Sequence, residues 1–392
     1  MNTPRQPAPF SSSPIRVLYA WDLPDHHHLR RVQAVASHAG IEVKLTHERE
    51  VDDDRPGAAV AAEGSFEWLD PRTLTPATLA PFDAVIMHGH RDPFIRHLLT
   101  LLPRHIRRFI FISETGLHRC NPLRRYWRAR RLAAFDGALV PGRMAYRSLK
   151  KLGFAPNRID IVGLPPDDTA LRVARKRAHT ATEFLGAIVF VGRLVPERNL
   201  AALIEGYALA RQHTPHLPRL VIAGTGPLEA ELQQQARRLG LDDSAVAFLG
   251  ATSPLEVPRL MAGAAFVVRP SLLDNWGITI QEAMHAGRPV LASLACGCLP
   301  ELLHSDCAFL LRGFRPADIA EGLTRTWANR QHFEAMGKAA ITRAEIHGLE
   351  AHGQAVVKAL RRSLWGTPIE MPALADKSQP TTPTTPQREA TP

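Results

Sequence analysis

A chain of 392 residues with 45% hydrophobic and 22% charged residues has the composition of a soluble globular protein, and it is long enough that two domains are expected. No apolar run approaches the roughly 18 residues that a membrane span needs, and residues 1–14 are polar and proline-bearing, without the apolar stretch of a secretory signal. The four cysteines, Cys120, Cys296, Cys298 and Cys307, are too irregularly spaced for a disulfide framework and fit a reducing compartment, while a net charge of +10 invites an anionic partner.

Residues 15–19 read as a first strand, followed by a helix from about Asp25, its N-cap, to Ala39, and by a second strand over 41–45. Residues 48–78 are weakly patterned, and their Asp52-Asp53-Asp54 run beside Arg55-Pro56-Gly57 reads as a solvated turn rather than a metal site. Apolar strands return at 83–88, 109–112, 137–140 and 159–162, with helical patterns between them. Residues 163–168 break this alternation, and a charged segment to Glu183 reads as a hinge. Strands then restart at 187–191, 219–223, 245–249, 264–268 and 289–292. Short apolar strands alternating with helices predict an α/β protein with two successive doubly wound parallel sheets facing across a cleft. The division expected is a disordered tail over 1–13, a first domain over 14–165, a hinge over 166–185 and a second domain over 186–345. A helix over 346–366 is expected to pack back toward the first domain, and the Pro-, Thr- and Ser-rich residues 367–392 form a disordered tail.

The positive charge is concentrated. Between Arg104 and Arg131 lie nine arginines and a single acid, Glu114, and the stretch from Arg124 to Arg131 interleaves arginines with Tyr126 and Trp127. Such a segment fits an anionic membrane surface. A solvated helix face and a nucleic-acid contact compete with that reading; no nucleic-acid partner is expected.

The chemistry-bearing motifs follow strands of the second half. Arg193 stands at a strand end and Arg198 opens the next helix, two permanent cations that fit a diphosphate unless Arg198 pairs with Glu197 or Glu205. Gly224-Thr225-Gly226-Pro227 is a strand-to-helix turn that alone says little about a nucleotide. Asp274 and Glu282 lie eight residues apart around Trp276-Gly277. Gly277, Ile278 and Thr279 begin a helix whose free N–H groups attract phosphate, and Glu282 on its second turn could accept from ribose hydroxyls or be surface filler. Cys296-Gly-Cys298 lacks a paired ligand set for zinc, and the consecutive His26, His27 and His28 do not share a helix face, so no metal is expected at either.

Taken in order, Gly-Arg-Leu-Val-Pro-Glu-Arg-Asn from Gly192, Ala-Gly-Thr-Gly-Pro-Leu-Glu from Ala223, Pro-Ser-Leu-Leu-Asp-Asn-Trp-Gly-Ile-Thr-Ile-Gln-Glu from Pro270 and Cys-Gly-Cys-Leu-Pro-Glu-Leu from Cys296 resemble the donor domain of retaining glycosyltransferases of family 4. The resemblance covers mainly residues 192–302, with a weaker part at 135–164. It implies the GT-B fold of two Rossmann-like domains, an N-terminal acceptor domain and a C-terminal nucleotide-sugar donor domain. It further implies that Arg193 and Arg198 bind the donor diphosphate, that Asp274, one methylene shorter than the family's usual Glu, touches sugar hydroxyls, and that Glu282 holds the ribose. Glu114 occupies the place of a family histidine that contacts donor sugar and acceptor; His88 and His90 end the preceding strand toward the cleft. The family's glycine-rich loop after the first strand is replaced by Trp21-Asp22-Leu23-Pro24-Asp25.

The expectation is a retaining hexosyltransferase using a nucleotide diphosphate sugar, with no cofactor and no metal because fixed positive groups take the metal's role. Its acceptor is a glycan or lipid-linked, and it works in the cytoplasm or peripherally on the inner face of the plasma membrane. A GT-B sugar-nucleotide epimerase and a non-catalytic or membrane-docked GT-B relative are the alternatives.

Overall fold

The computed structural model describes residues 13–21, 26–47, 66–89, 91–176, 185–253 and 256–366. Asp22 to Asp25, the Asp52-Asp53-Asp54 run, His90, part of the predicted hinge and both predicted tails apart from Ser13 lie outside the described residues.

The first sheet is β1 (Ile15–Trp21), β2 (Ile41–His47), β3 (Glu67–Trp68), β4 (Ala84–His88), β5 (Arg107–Phe111), β6 (Gly137–Val140) and β7 (Ile159–Ile161). These strands are parallel and run in the order β3-β2-β1-β4-β5-β6-β7. Its helices are α1 (His26–Ala36), α2 (Pro76–Leu79), α3 (Pro93–Leu101), α4 (Pro122–Leu132) and α5 (Arg143–Leu152). Local chemistry sets their starts: Asp92 and Asn121 cap α3 and α4 with side-chain oxygens, and a proline takes the first helical position of each. Successive β1 residues feed two cores. Leu18 and Ala20 join Phe94, Ile95 and Leu98 of α3 on one face, while Val17, Tyr19 and Trp21 join α1 on the other. That is the burial of a parallel sheet covered on both sides.

The second sheet is β8 (Ile188–Val191), β9 (Leu220–Ala223), β10 (Val246–Gly250), β11 (Phe266–Arg269), β12 (Val290–Ala292) and β13 (Ala308–Leu310). It too is parallel, in the order β10-β9-β8-β11-β12-β13. Its helices are α6 (Thr169–Lys176), α7 (Leu200–His213), α8 (Glu229–Arg238), α9 (Glu256–Gly263), α10 (Ile278–His285), α11 (Leu299–Leu302), α12 (Pro316–Ala328) and α13 (Phe333–Ile346). Val189, Val221 and Val267 face one core and Phe190, Ile222 and Phe266 the other.

Two elements join the halves. α6 lies within the predicted hinge, where an irregular segment was expected; Leu171 anchors it in the second domain's core. The last helix, α14 (Leu349–Trp365), returns to the first domain and buries Val356, Val357 and Leu360 against β1 and α1. Two short strands, β3 and β13, had no counterpart in the sequence pattern. Two or three residues are too few to display an alternation.

Candidate functional site

Each sheet reverses its strand order once, between β1 and β4 and between β8 and β11. Open α/β sheets bind ligands in the crevice outside the carboxyl ends of such strands. Trp21 and His88 end the strands at the first reversal; Arg193 and Arg269 stand at the second.

At the second reversal the chain builds a buried charge cluster. Arg269 is 4% exposed and stacks over the Phe190 ring with 5.5 Å to its centroid. Its Nη1 donates to the Val191 carbonyl at 2.9 Å, its Nε donates to Asp274 Oδ2 at 2.8 Å, and its Nη2 lies 2.7 Å from the same oxygen in an ion pair. Arg198 Nη1 reaches the same oxygen at 3.0 Å and the Leu273 carbonyl at 3.1 Å. Asp274 Oδ2 is thus saturated, while Oδ1 has no partner among the described residues. Burial and the neighbouring Arg269 charge push the Arg198 guanidinium below its ordinary value, with Asp274 opposing. It stays charged at neutral pH.

Backbone pairing fixes the acid. Asp274 N–H donates to the Ala295 carbonyl at 3.2 Å, the Gly297 N–H to Asp274 at 2.9 Å, and the Cys298 N–H to Trp276 at 3.0 Å. Only a glycine fits at 297, where a Cβ would lie 1.8 Å from the Asn275 carbonyl oxygen. Cys296 and Cys298 are packed beneath. Burial pushes the Cys296 thiol up to about 11, helped by Asp274, and holds Cys298 well above its ordinary value, so both are protonated packing groups. Gly277, at φ +94°, then turns the chain into α10, and the first N–H groups of Ile278 and Thr279 have no helical partners.

Arg193 is exposed and makes no side-chain ion pair or hydrogen bond among the described residues. Arg198 and Arg269 share one carboxylate, which leaves the buried cluster with a net positive charge, and Arg193 adds a cation on the adjacent loop. Gly224 and Gly226 serve contact between loops: a Cβ on Gly224 would lie 2.0 Å from the Gly192 carbonyl oxygen, and Leu194 N–H donates to Thr225 at 2.9 Å. That is turn chemistry supporting the Arg193 loop.

Two expectations about Arg198 are corrected. It sits in a 3₁₀ turn, Pro196–Arg198, because Asn199 adopts φ +59° and delays α7 to Leu200. Its carboxylate partner is Asp274, not Glu197 or Glu205, so the cation and the acid assigned separate tasks are bonded to each other.

The first reversal is built from rings. His88 stacks on Phe111 with centroids 4.9 Å apart, lies 5.3 Å from Trp21 and meets His28 edge-on at 5.4 Å. Glu114 is half-buried on the loop after β5 and has no side-chain partner among the described residues. The adjacent Thr115 is buried and reaches across to Gly297, its Cγ2 3.1 Å from where a Cβ there would lie. No contact joins Glu114 or His88 to Arg193, Arg198 or Asp274 among the described residues.

The halves meet at two further points. Glu301 on α11 accepts from the Arg143 N–H at 2.7 Å, capping α5, whose own N-cap Gly142 offers no side chain. Burial pushes the Glu301 carboxyl upward. Glu282 on α10 places Oε1 3.7 Å from His27 Nε2 on α1. Sequence reasoning passed over Arg269, Glu301 and His27. The signal for Arg269 is a cation ending the apolar run 264–268; the run His26-His27-His28 carries no sign that His27 faces the other domain.

Residues 175–343 match the family model for glycosyl transferases group 1. Over 201 residues the chain is 27% identical to the D-inositol 3-phosphate glycosyltransferase of Pseudarthrobacter chlorophenolicus, covering 50% of this chain and 47% of that one. The chain spans about half the length of the first curated relatives it matches. Among solved structures, Anabaena HepE in complex with UDP and glucose superposes with a TM-score of 0.72 at 15% identity, covering 88% of this chain and 99% of that one. WaaG, a glycosyltransferase involved in lipopolysaccharide biosynthesis, gives 0.61 at 18% identity over 88% and 98%. Two parallel sheets, each with a strand-order reversal and one of them inside the matched segment, agree with these likenesses: the chain has the two-domain GT-B fold, and its residues 175–343 are similar to the glycosyl transferases group 1 family.

Proposed function

We propose that the protein is a retaining, metal-independent hexosyltransferase. It moves a sugar from a nucleotide diphosphate donor to a glycan or lipid-linked acceptor in envelope polysaccharide or glycolipid synthesis. The observation that carries this reading is the net-positive Arg193, Arg198, Arg269 and Asp274 cluster, set beside the open start of α10 at a strand-order reversal. A diphosphate diester carries one negative charge per phosphate, and guanidiniums and a helix N-terminus both complement it.

In this reading Arg193 and Arg198 hold the diphosphate together with the N–H groups of Gly277, Ile278 and Thr279. Asp274 offers Oδ1 to the sugar hydroxyls and Glu282 accepts from the ribose. As the glycosidic bond breaks, charge grows on the diphosphate, where preorganised cations stabilise it most. Those fixed charges stand where another enzyme would place a divalent cation, so no cofactor is invoked. Glu114 and His88 orient the acceptor from the opposite wall, and the departing diphosphate oxygen takes its proton. The activities of the relatives and of WaaG support the class of reaction.

The acceptor is lipid-linked if the basic helix docks. α4 exposes Leu123, Tyr126 and Trp127 between Arg124, Arg125, Arg130 and Arg131. Rings flanked by cations suit an anionic headgroup layer on the cytoplasmic side, where the protein would sit peripherally. No helix among the described residues is long and apolar enough to cross a membrane.

The test is Arg193→Ala in a donor-hydrolysis or transfer assay. Turnover should fall by on the order of 10²–10³, the cost of one preorganised charge-stabilising group. Unchanged turnover removes the donor-site assignment.

A further inference from the structure

The cleft contact between His27 and Glu282 has a definite polarity. The Asp167 backbone N–H donates to His27 Nδ1 at 3.0 Å. An accepting Nδ1 carries no proton, so in the neutral ring the proton is on Nε2. That Nε2–H is the atom that faces Glu282 Oε1, 3.7 Å away. The ring is braced from behind, since Asp167 is itself held by Arg30 Nε at 3.2 Å. Both side chains are mostly buried, at 13% and 15% exposure.

The pair is a donor beside an acceptor at a separation too long for a direct hydrogen bond. An oxygen about 2.8 Å from each atom closes a triangle on that 3.7 Å base. A hydroxyl satisfies both ends, donating to the carboxylate while accepting from the imidazole. A hydrogen in its place can bond to neither.

We infer that His27 is a nucleotide-binding residue supplied across the cleft by the opposite domain, its Nε2–H donating to the ribose hydroxyl that Glu282 accepts from. The inference rests on the reading of Glu282 as the ribose acid. It adds that α1, on the acceptor half, takes part in reading the donor, and that the His27–Glu282 pair selects ribose over deoxyribose.

The experiment is calorimetric titration of the full chain with UDP, GDP and ADP and with their 2′-deoxy and 3′-deoxy forms. The wild type should bind at least one ribonucleotide more tightly than its deoxy counterparts. His27→Ala should weaken ribonucleotide binding roughly three- to tenfold, the size of one net hydrogen bond, and shrink the ratio of ribo to deoxy affinity. His27→Gln, which keeps an amide donor and acceptor, should recover part of both. A purely structural role for His27 would move the melting temperature and leave that ratio unchanged, which overturns the inference. So does an affinity equal to or tighter than wild type in His27→Ala; if Glu282→Ala still abolishes binding, the proposed function survives that result. Failure of the wild type to bind any of the three nucleotides overturns the proposed function and this inference together.

Discussion

The two strand-order reversals occupy the same place in two sheets of the same topology, and they carry opposite chemistry. Behind β8 and β11, a carboxylate oxygen is gripped by two arginines in a buried cluster with charge to spare. Behind β1 and β4, Trp21, His28, His88 and Phe111 form a wall of rings. The topology fixes where a ligand crevice lies and leaves its contents open. A charged crevice suits a phosphate-bearing ligand, which must be held and then stabilised as it departs. A ring-lined one suits a neutral ring with apolar faces. In the proposed reading donor and acceptor take different walls of one cleft, joined by the Glu301 cap and the His27–Glu282 contact.

The comparison breaks first at Arg269. Arg269→Ala strands a buried Asp274 with a single cation, and such a loss costs about 3–5 kcal/mol. Chemical denaturation should show that drop. The double variant Arg269→Leu with Asp274→Leu should recover part of the stability, because the buried carboxylate leaves together with its most buried cation and only the partly exposed Arg198 loses its ion pair, while donor binding stays lost. A double variant as unstable as the single one would show that the cluster is not an electrostatic unit.

Acid sharpens the contrast on the ring-lined side. His352 of α14 is fully buried, and burial, with Arg31 adding to it, holds its pKa down at about 3 against an ordinary value of 6.5. The folded state therefore refuses a proton that the unfolded state takes as pH falls below 6.5. Stability is unaffected above 6.5 and falls continuously toward 3. At pH 5 the loss from this group is about 2 kcal/mol. His285, also lowered by burial, acts in the same direction from the second domain. Urea melts at pH 7 and pH 5 measure the slope. His352→Asn, which can still donate to the Val162 carbonyl now bonded at 2.9 Å, should flatten it; an unchanged slope would clear His352 of the effect.

Smaller effects test the joints. Glu301→Ala leaves α5 uncapped and should cost about 1 kcal/mol. Trp127→Ala, far from either reversal in sequence and exposed on α4, should leave donor hydrolysis untouched and weaken sedimentation with anionic vesicles at low salt. No sedimentation of the wild type under those conditions would remove the membrane contact.

The double alternation of apolar strands and helices carried the fold class because each buried strand writes a short, continuous apolar run. β3 and β13 were too brief to write one, and α6 was hidden in a charged stretch whose single anchor is Leu171. The Arg193 loop, Asp274 and the start of α10 were legible because their residues lie in short segments at strand ends. What escaped were relations between distant segments. Arg198 and Asp274 are 76 residues apart in sequence and form an ion pair. His27 and Glu282 come from different domains. Nothing in either local pattern announces such a partner. The ring wall was illegible for the same reason: its members come from β1, α1, β4 and β5, one residue at a time.

The most direct measurement is a crystal structure of the full chain grown with a saturating nucleotide diphosphate sugar. The account predicts density for the diphosphate between Arg193, Arg198 and the first turn of α10, with the ribose hydroxyls at Glu282. A nucleotide bound against the rings of the first sheet, or a cleft without density while the same sugar nucleotide is being turned over, would contradict it.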